Sequence, residues 1–190
     1  FMELIKRGGD RLNNLVEDFL ESSSIEVGEM QKLYDSTKQA FELKYPIRDT
    51  LKFFNDEITQ KNLEVVTEIP EELPMVYGSS SQIMDVLKRV ISNAVKFSKD
   101  NGQVVFTIKI EPDTMIISVK DFGIGIPAEE LPKIYDKFYQ VKREKYEQQG
   151  SGLGLFIAKK LALINRCILE CESSVNEYTL FNIILPLTKE

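Results

Sequence analysis

The sequence contains no histidine in 190 residues. That absence removes the commonest general base and any Ser-His or Cys-His nucleophile pair. Cysteine is almost as scarce, with only Cys167 and Cys171 present. Two thiols without histidine cannot furnish the roughly four nitrogen and sulfur ligands of a zinc site. They are also too few for a disulfide framework in a chain that is 43% hydrophobic. A reducing compartment fits better, with both cysteines acting as small apolar residues in or beside a strand. No apolar run reaches the ~18 residues of a membrane span, and no signal-peptide pattern is visible. No membrane contact from this segment and a cytoplasmic location are therefore expected, whether or not a longer parent is anchored in a membrane. Net charge is −6 and the pI about 5.0, which argues against a broad nucleic-acid-binding face.

What is present suits one domain with a helical appendage. Residues 1–33 predict a helix, because Ile5, Leu12, Leu15, Val16, Phe19 and Leu20 recur at helical spacing. Their apolar stripe calls for cover, either from the chain's own body or from a partner helix. Gly8 and Gly9 weaken the helix start, and Glu21-Ser22-Ser23-Ser24 followed by Gly28 marks a looser zone. A second helix is predicted over 47–60 after Pro46, a strand over 63–67, and a helix from a capping box at Ser79-Ser80-Ser81-Gln82 to about Phe97. The core face of that last helix is Ile83, Val86, Leu87, Val90 and Ala94. Strands follow over 103–110 and 115–120, then a short helix near 129–136, a helix from the second glycine-rich loop to about Ile164, and strands over 168–172 and 179–185. This order predicts an α+β fold: a mixed, mostly antiparallel sheet with helices on one face.

Three segments carry candidate chemistry. Asp121-Phe122-Gly123-Ile124-Gly125-Ile126-Pro127 follows a strand, and Gly150-Ser151-Gly152-Leu153-Gly154-Leu155 precedes a helix. Glycines permit close backbone approach, and a helix N-terminus offers free N–H groups to phosphate. Asp121 can accept a hydrogen bond from an exocyclic amine such as that of adenine. The third segment, Ser92-Asn93-Ala94-Val95-Lys96-Phe97-Ser98, places Asn93 and Lys96 on one helix face. An amide oxygen suits Mg²⁺, and an ammonium suits phosphate charge. The dinucleotide fingerprint, the Walker P-loop and the protein-kinase motif set are all absent.

In this order the segments resemble the N, G1 and G2 boxes of the GHKL ATPase superfamily, and within it those of sensor histidine kinases. Lys133-Ile134-Tyr135-Asp136-Lys137-Phe138-Tyr139-Gln140-Val141 resembles their F box. The resemblance spans about residues 45–187. It implies a Bergerat-type two-layer α/β sandwich over 34–190, preceded by a long N-terminal helix, with residues 1–33 similar to the second helix of a dimerisation hairpin. It also implies ATP with Mg²⁺ as cofactors, Asn93 as metal ligand, and Asn93 and Lys96 as the catalytic pair. Phe97 would flank adenine, Asp121 would take its amino group, and Gly123, Gly125 and Ile126 would shape its pocket. Phe138, Gly150, Ser151, Gly152, Leu153, Gly154, Leu155 and Thr179 complete the implied nucleotide contacts. Lys142, Arg143 or Lys145, in a lid over 139–149, would reach the γ-phosphate. A response-regulator receiver domain is the implied partner, with homodimerisation through the N-terminal helix.

Three departures stand out. Arg89 occupies the place of a second asparagine, or of the glutamate base of hydrolytic members, and arginine serves as neither ligand nor base. Its alternatives are a phosphate contact or an ion pair. Asn165-Arg166-Cys167 and Asn176-Glu177-Tyr178 lack expected glycines, and the phosphoacceptor histidine is missing from the chain.

Overall fold

A computed structural model describes residues 2–141 and 150–187. The elements are α1 (Met2–Glu26), α2 (Glu29–Thr37), β1 (Gln39–Phe41), α3 (Lys44–Phe53), α4 (Asn55–Gln60), β2 (Glu64–Glu68), β3 (Val76–Gly78), α5 (Ser80–Phe97), β4 (Gln103–Ile110), β5 (Thr114–Asp121), a 3₁₀ turn (Leu131–Lys133), α6 (Gly154–Ile164), β6 (Ile168–Ser174) and β7 (Tyr178–Pro186).

Five strands form one sheet in the order β2-β4-β5-β7-β6. The β2–β4 pair is parallel and the other three pairs are antiparallel, as the mixed-sheet expectation has it. Alternation decides which side chains meet the helices. Met115, Ile117 and Val119 of β5 are buried together with Phe181, Ile183 and Leu185 of β7 and Val104, Phe106 and Ile108 of β4. Against this face pack Ile83, Val86, Leu87, Val90 and Ala94 of α5 and Ile157, Ala158 and Leu161 of α6. At ~25 cal/mol per Å² of apolar area, each such fully buried aliphatic side chain contributes about 1.5–3 kcal/mol.

Several expected boundaries shift, each for a visible reason. The predicted helix over 1–33 divides at Gly28, whose φ of +78° ends the regular turn before α2. The predicted helix over 47–60 starts earlier and divides at Phe54. There the amide turns to Leu51 and the ring drops into the core. Pro46 falls inside the first turn of α3, where its missing N–H is harmless. The predicted helix near 129–136 is one 3₁₀ turn containing Pro132. A small β1–β3 pair was not anticipated from strands of three residues.

The capping box at Ser79 does not form. Instead Asn165 Oδ1 accepts from the Ser79 amide at 2.8 Å, and Asn165 Nδ2 donates to Gln82 Oε1 at 2.8 Å and to the Leu161 carbonyl at 2.9 Å. Asn165 is 1% exposed, so the residue that departs from the family pattern ties the start of α5 to the end of α6. Arg166 and Asn176, at the other glycine-poor positions, hold positive φ of 59° and 64°. Those turns keep a glycine-like conformation at a cost of roughly 1 kcal/mol each.

Candidate functional site

Side-chain alternation carries Asp121 inward. It is the last residue of the row Met115, Ile117, Val119, and it is 2% exposed. Across the β5–β7 ladder its partner is Thr179, and across β6–β7 the partner of Thr179 is Ser173. The Gly123 amide donates to Asp121 Oδ1 at 3.0 Å. Burial pushes the Asp121 carboxyl up to about 6, opposed by hydrogen bonds from the backbone.

The first glycine-rich loop is welded to its neighbours by backbone contact. A Cβ on Gly123 would stand 2.0 Å from the carbonyl oxygen of Phe97, at the end of α5. Gly125 has φ of +65°, and a Cβ there would stand 2.1 Å from the Ser174 carbonyl oxygen. The Asn176 amide donates to the Ile124 carbonyl at 2.8 Å. Ser173 Oγ accepts from the Ile126 amide at 2.8 Å and lies 3.1 Å from Thr179 Oγ1. Ser173 escaped the sequence reading, because a strand serine carries no signal of its own.

The end of α5 forms one wall. Lys61 Nζ donates to the carbonyls of Val95, Lys96 and Ser98 at 3.0, 2.6 and 2.9 Å, a cationic cap where the helix dipole is negative. Lys96 Nζ lies 4.8 Å from the Phe97 ring centroid and 3.0 Å from where a Gly150 Cβ would be. Burial lowers the Lys96 pKa, and the Lys61 charge lowers it further. Asn93 is half-buried on the same helix, one turn from Arg89.

The second glycine-rich loop forms the opposite wall and opens α6 at Gly154. Gly152, with φ of +73°, lies against the Phe138 backbone, 2.7 Å from a would-be Cβ to the Phe138 carbonyl carbon. Gln140 Nε2 donates to the Gly150 carbonyl at 2.7 Å. Leu153 is buried in the core and its amide donates to Ser151 Oγ at 3.0 Å, while Leu155 is half-buried against the core. The Phe138 ring is 58% exposed. Lys142, Arg143 and Lys145 lie outside the described residues.

Arg89 is not in contact with solvent alone. Its Nε bonds Asp85 Oδ2 at 2.8 Å, one terminal nitrogen bonds Asp18 Oδ1 at 2.7 Å, and the other bonds Glu21 Oε2 at 2.5 Å. Burial alone would lower its pKa, but the carboxylates outweigh that and raise it, so Arg89 is always charged. Glu21 is pushed up to about 7, by burial and then by Asp85.

No group of three or more Cys, Asp or Glu among the described residues is arranged to hold a metal. Mg²⁺ characteristically keeps waters and takes only one or two protein ligands beside substrate phosphates. One amide oxygen, at the half-buried Asn93, is of the donor type that mode requires.

The end of α5 thus stands between both glycine-rich loops, with Asp121 at the floor and cations at the rim. Residues 78–189 match the family model described as histidine kinase-, DNA gyrase B-, and HSP90-like ATPase. The chain is 29% identical over 194 residues to sensor histidine kinase WalK of Bacillus subtilis, covering 100% of this chain and 31% of that protein. It is 32% identical over 146 residues to sensor protein RprX of Bacteroides fragilis, covering 75% of this chain and 28% of that protein. The chain therefore spans less than a third of either relative's length. Among solved structures, the catalytic domain of histidine kinase ThkA matches with a TM-score of 0.70 at 26% identity, over 80% of this chain and 99% of that one. Histidine kinase AdeS of Acinetobacter baumannii has the same fold, with a TM-score of 0.76 at 20% identity, over 99% of this chain and 84% of that one. The chain belongs to the histidine kinase-, DNA gyrase B- and HSP90-like ATPase family, and within it is the catalytic ATP-binding portion of a sensor histidine kinase.

Proposed function

We propose that this portion holds Mg²⁺-ATP between α5 and the two glycine-rich loops, and that its parent passes the γ-phosphate first to a histidine and then to a response-regulator aspartate. The histidine is not in this chain. The observation that carries the proposal is the convergence of both loops on the end of α5: Gly123 against Phe97, and Gly150 against the Lys96 ammonium. Asp121 accepts from the adenine amino group, with Thr179 and Ser173 completing the polar floor. Phe97 offers an aromatic edge to the base. Lys96 and the amides of Gly150–Gly154 take phosphate charge at the N-terminus of α6. Asn93 is the ligand for Mg²⁺, which when bound supplies charge neutralisation on the phosphates. Phosphoryl transfer asks little covalent chemistry of a protein, so positioning and charge suffice without a histidine base.

Residues 1–33 serve in this proposal as part of the second helix of a dimerisation hairpin. Leu12, Leu15, Val16, Phe19 and Leu20 are exposed, between 46% and 63%, so the chain's own body does not cover the stripe. A partner helix is the cover that suits it. No described helix is long and apolar enough to cross a membrane.

Calorimetry with a non-hydrolysable ATP analogue tests the site. Binding is expected only with Mg²⁺, and Asn93→Ala should weaken it at least tenfold; undiminished affinity in that variant would remove Asn93 from the metal role. A second reading, a nucleotide-binding module without phosphotransfer, is favoured by Arg89 in place of a second asparagine. Supplying a separate histidine-bearing hairpin with labelled ATP separates the two: label on the hairpin supports the kinase, and bound nucleotide without label supports the module.

A further inference from the structure

The acidic face of α1 does not simply rest on the nucleotide-binding body; one of its carboxylates sits on the phosphate loop. Asp18 Oδ1 is held by an Arg89 terminal nitrogen at 2.7 Å, and Asp18 Oδ2 accepts from Ser151 Oγ at 2.5 Å. Each oxygen of one anion is thus bound by a different wall of the cleft. The Arg89 group also lies 3.8 Å from where a Gly154 Cβ would be, at the first residue of α6. A guanidinium and a serine hydroxyl gripping one anion, with the guanidinium beside the start of α6, make a phosphate seat. Here the anion in the seat is a side chain. Glu21 holds the remaining terminal nitrogen of Arg89 at 2.5 Å, and Asp85 holds its Nε at 2.8 Å. Lower on the same interface, Lys137 pairs with Glu26.

We propose that Asp18 is a built-in competitor for the nucleotide phosphates: docked α1 fills the Arg89–Ser151 seat, and bound nucleotide displaces it. The inference rests on the cleft being the ATP site, as set out above. It assigns Arg89 a role that an asparagine could not fill. In the docked form Arg89 fastens α1 to the body, and in the released form it faces phosphate. Each state keeps the arginine paired, which matters because a partly buried guanidinium left alone is costly. Asp85, on the same helix, stays with Arg89 in both states and prevents that cost during exchange. Because one anion excludes the other, α1 docking and nucleotide affinity are linked, and whatever pulls α1 away raises affinity.

The test is calorimetry with a non-hydrolysable ATP analogue and Mg²⁺ on the whole chain, comparing wild type with Asp18→Asn, Glu17→Gln, Arg89→Met and Arg89→Lys, and with Asp18→Asn placed in each Arg89 variant. Asp18→Asn should bind about five- to tenfold tighter, within the usual range of coupling between sites. In an Arg89→Met background, Asp18→Asn should change affinity by less than about twofold, because the shared partner is gone. Arg89→Lys keeps the charge and reports on folding if Arg89→Met is unstable; the Asp18→Asn gain should persist there in reduced form. Glu17→Gln removes an exposed charge next door and should leave affinity within about twofold, since the effect is contact and not bulk charge. Equal affinity for wild type and Asp18→Asn, or an equal gain from Glu17→Gln, overturns the competition while leaving the ATP site intact. No binding by wild type or by Asp18→Asn overturns the ATP site itself, and the competition falls with it.

Discussion

Asp121 shows how a functional residue strains against stability. Alternation along β5 puts its carboxyl under the sheet-facing layer, where burial pushes it up to about 6. Between its ordinary range near 4 and that value, the folded chain keeps a proton that the unfolded chain has already released. Stability is therefore fullest below about pH 4 for this group and declines as pH rises through 6. Asp121→Asn should flatten that decline and raise stability at pH 7 by about 2 kcal/mol, while weakening nucleotide binding. Thermal unfolding from pH 4.5 to 7.5 checks it, and an unchanged slope in the variant would put the effect elsewhere. The adjoining glycines meet neighbouring backbone: Gly123 against Phe97, and Gly125 against Ser174.

At the scale of elements, α5 and α6 are joined at one end by Asn165 and separated at the other by the cleft. Asn165 binds the Ser79 amide, Gln82 and the Leu161 carbonyl from a site 1% exposed. Asn165→Ala strands a buried N–H and a buried amide oxygen, and should cost about 2–4 kcal/mol. A fall in the urea midpoint at unchanged slope is the expected result. Lys61 plays the matching part at the other end of α5, where three carbonyls accept from its ammonium. Both contacts hold the wall that carries Asn93, Lys96 and Phe97 at a fixed distance from the glycine-rich loops.

For the molecule as a whole, α1 is a two-faced element. One face, with Asp18, Glu21 and buried Ser22, meets the nucleotide-binding body. The other leaves Leu12, Leu15 and Phe19 in solvent. Association of two chains through that stripe is expected, and Phe19→Lys should shift sedimentation equilibrium toward monomer by tenfold or more in dissociation constant, since a buried charge without a partner is costly. The polar face predicts the opposite tendency, attachment to the chain's own body. Dimerisation and domain docking therefore use adjacent sides of one helix, which meet along Leu15 and Ser22.

Much of this was written in the one-dimensional pattern. Strand-forming runs marked β4, β5 and β7, helical spacing marked the core face of α5, and the two glycine-rich loops with Asn93 marked the proposed site. These are local or near-local regularities, set by backbone geometry, and they survive without knowledge of what packs where. The roles of Ser173, Asn165, Lys61 and Asp18 did not show, because each acts on a residue between 5 and 133 positions away. A lone serine, asparagine, lysine or aspartate has no periodic signature. The capping box at Ser79 looked sound locally and lost to Asn165, which arrives from the far end of α6. Arg89 is the clearest case: the sequence by itself determined that it could be neither metal ligand nor base, while only the docking of α1 decided which anions surround it.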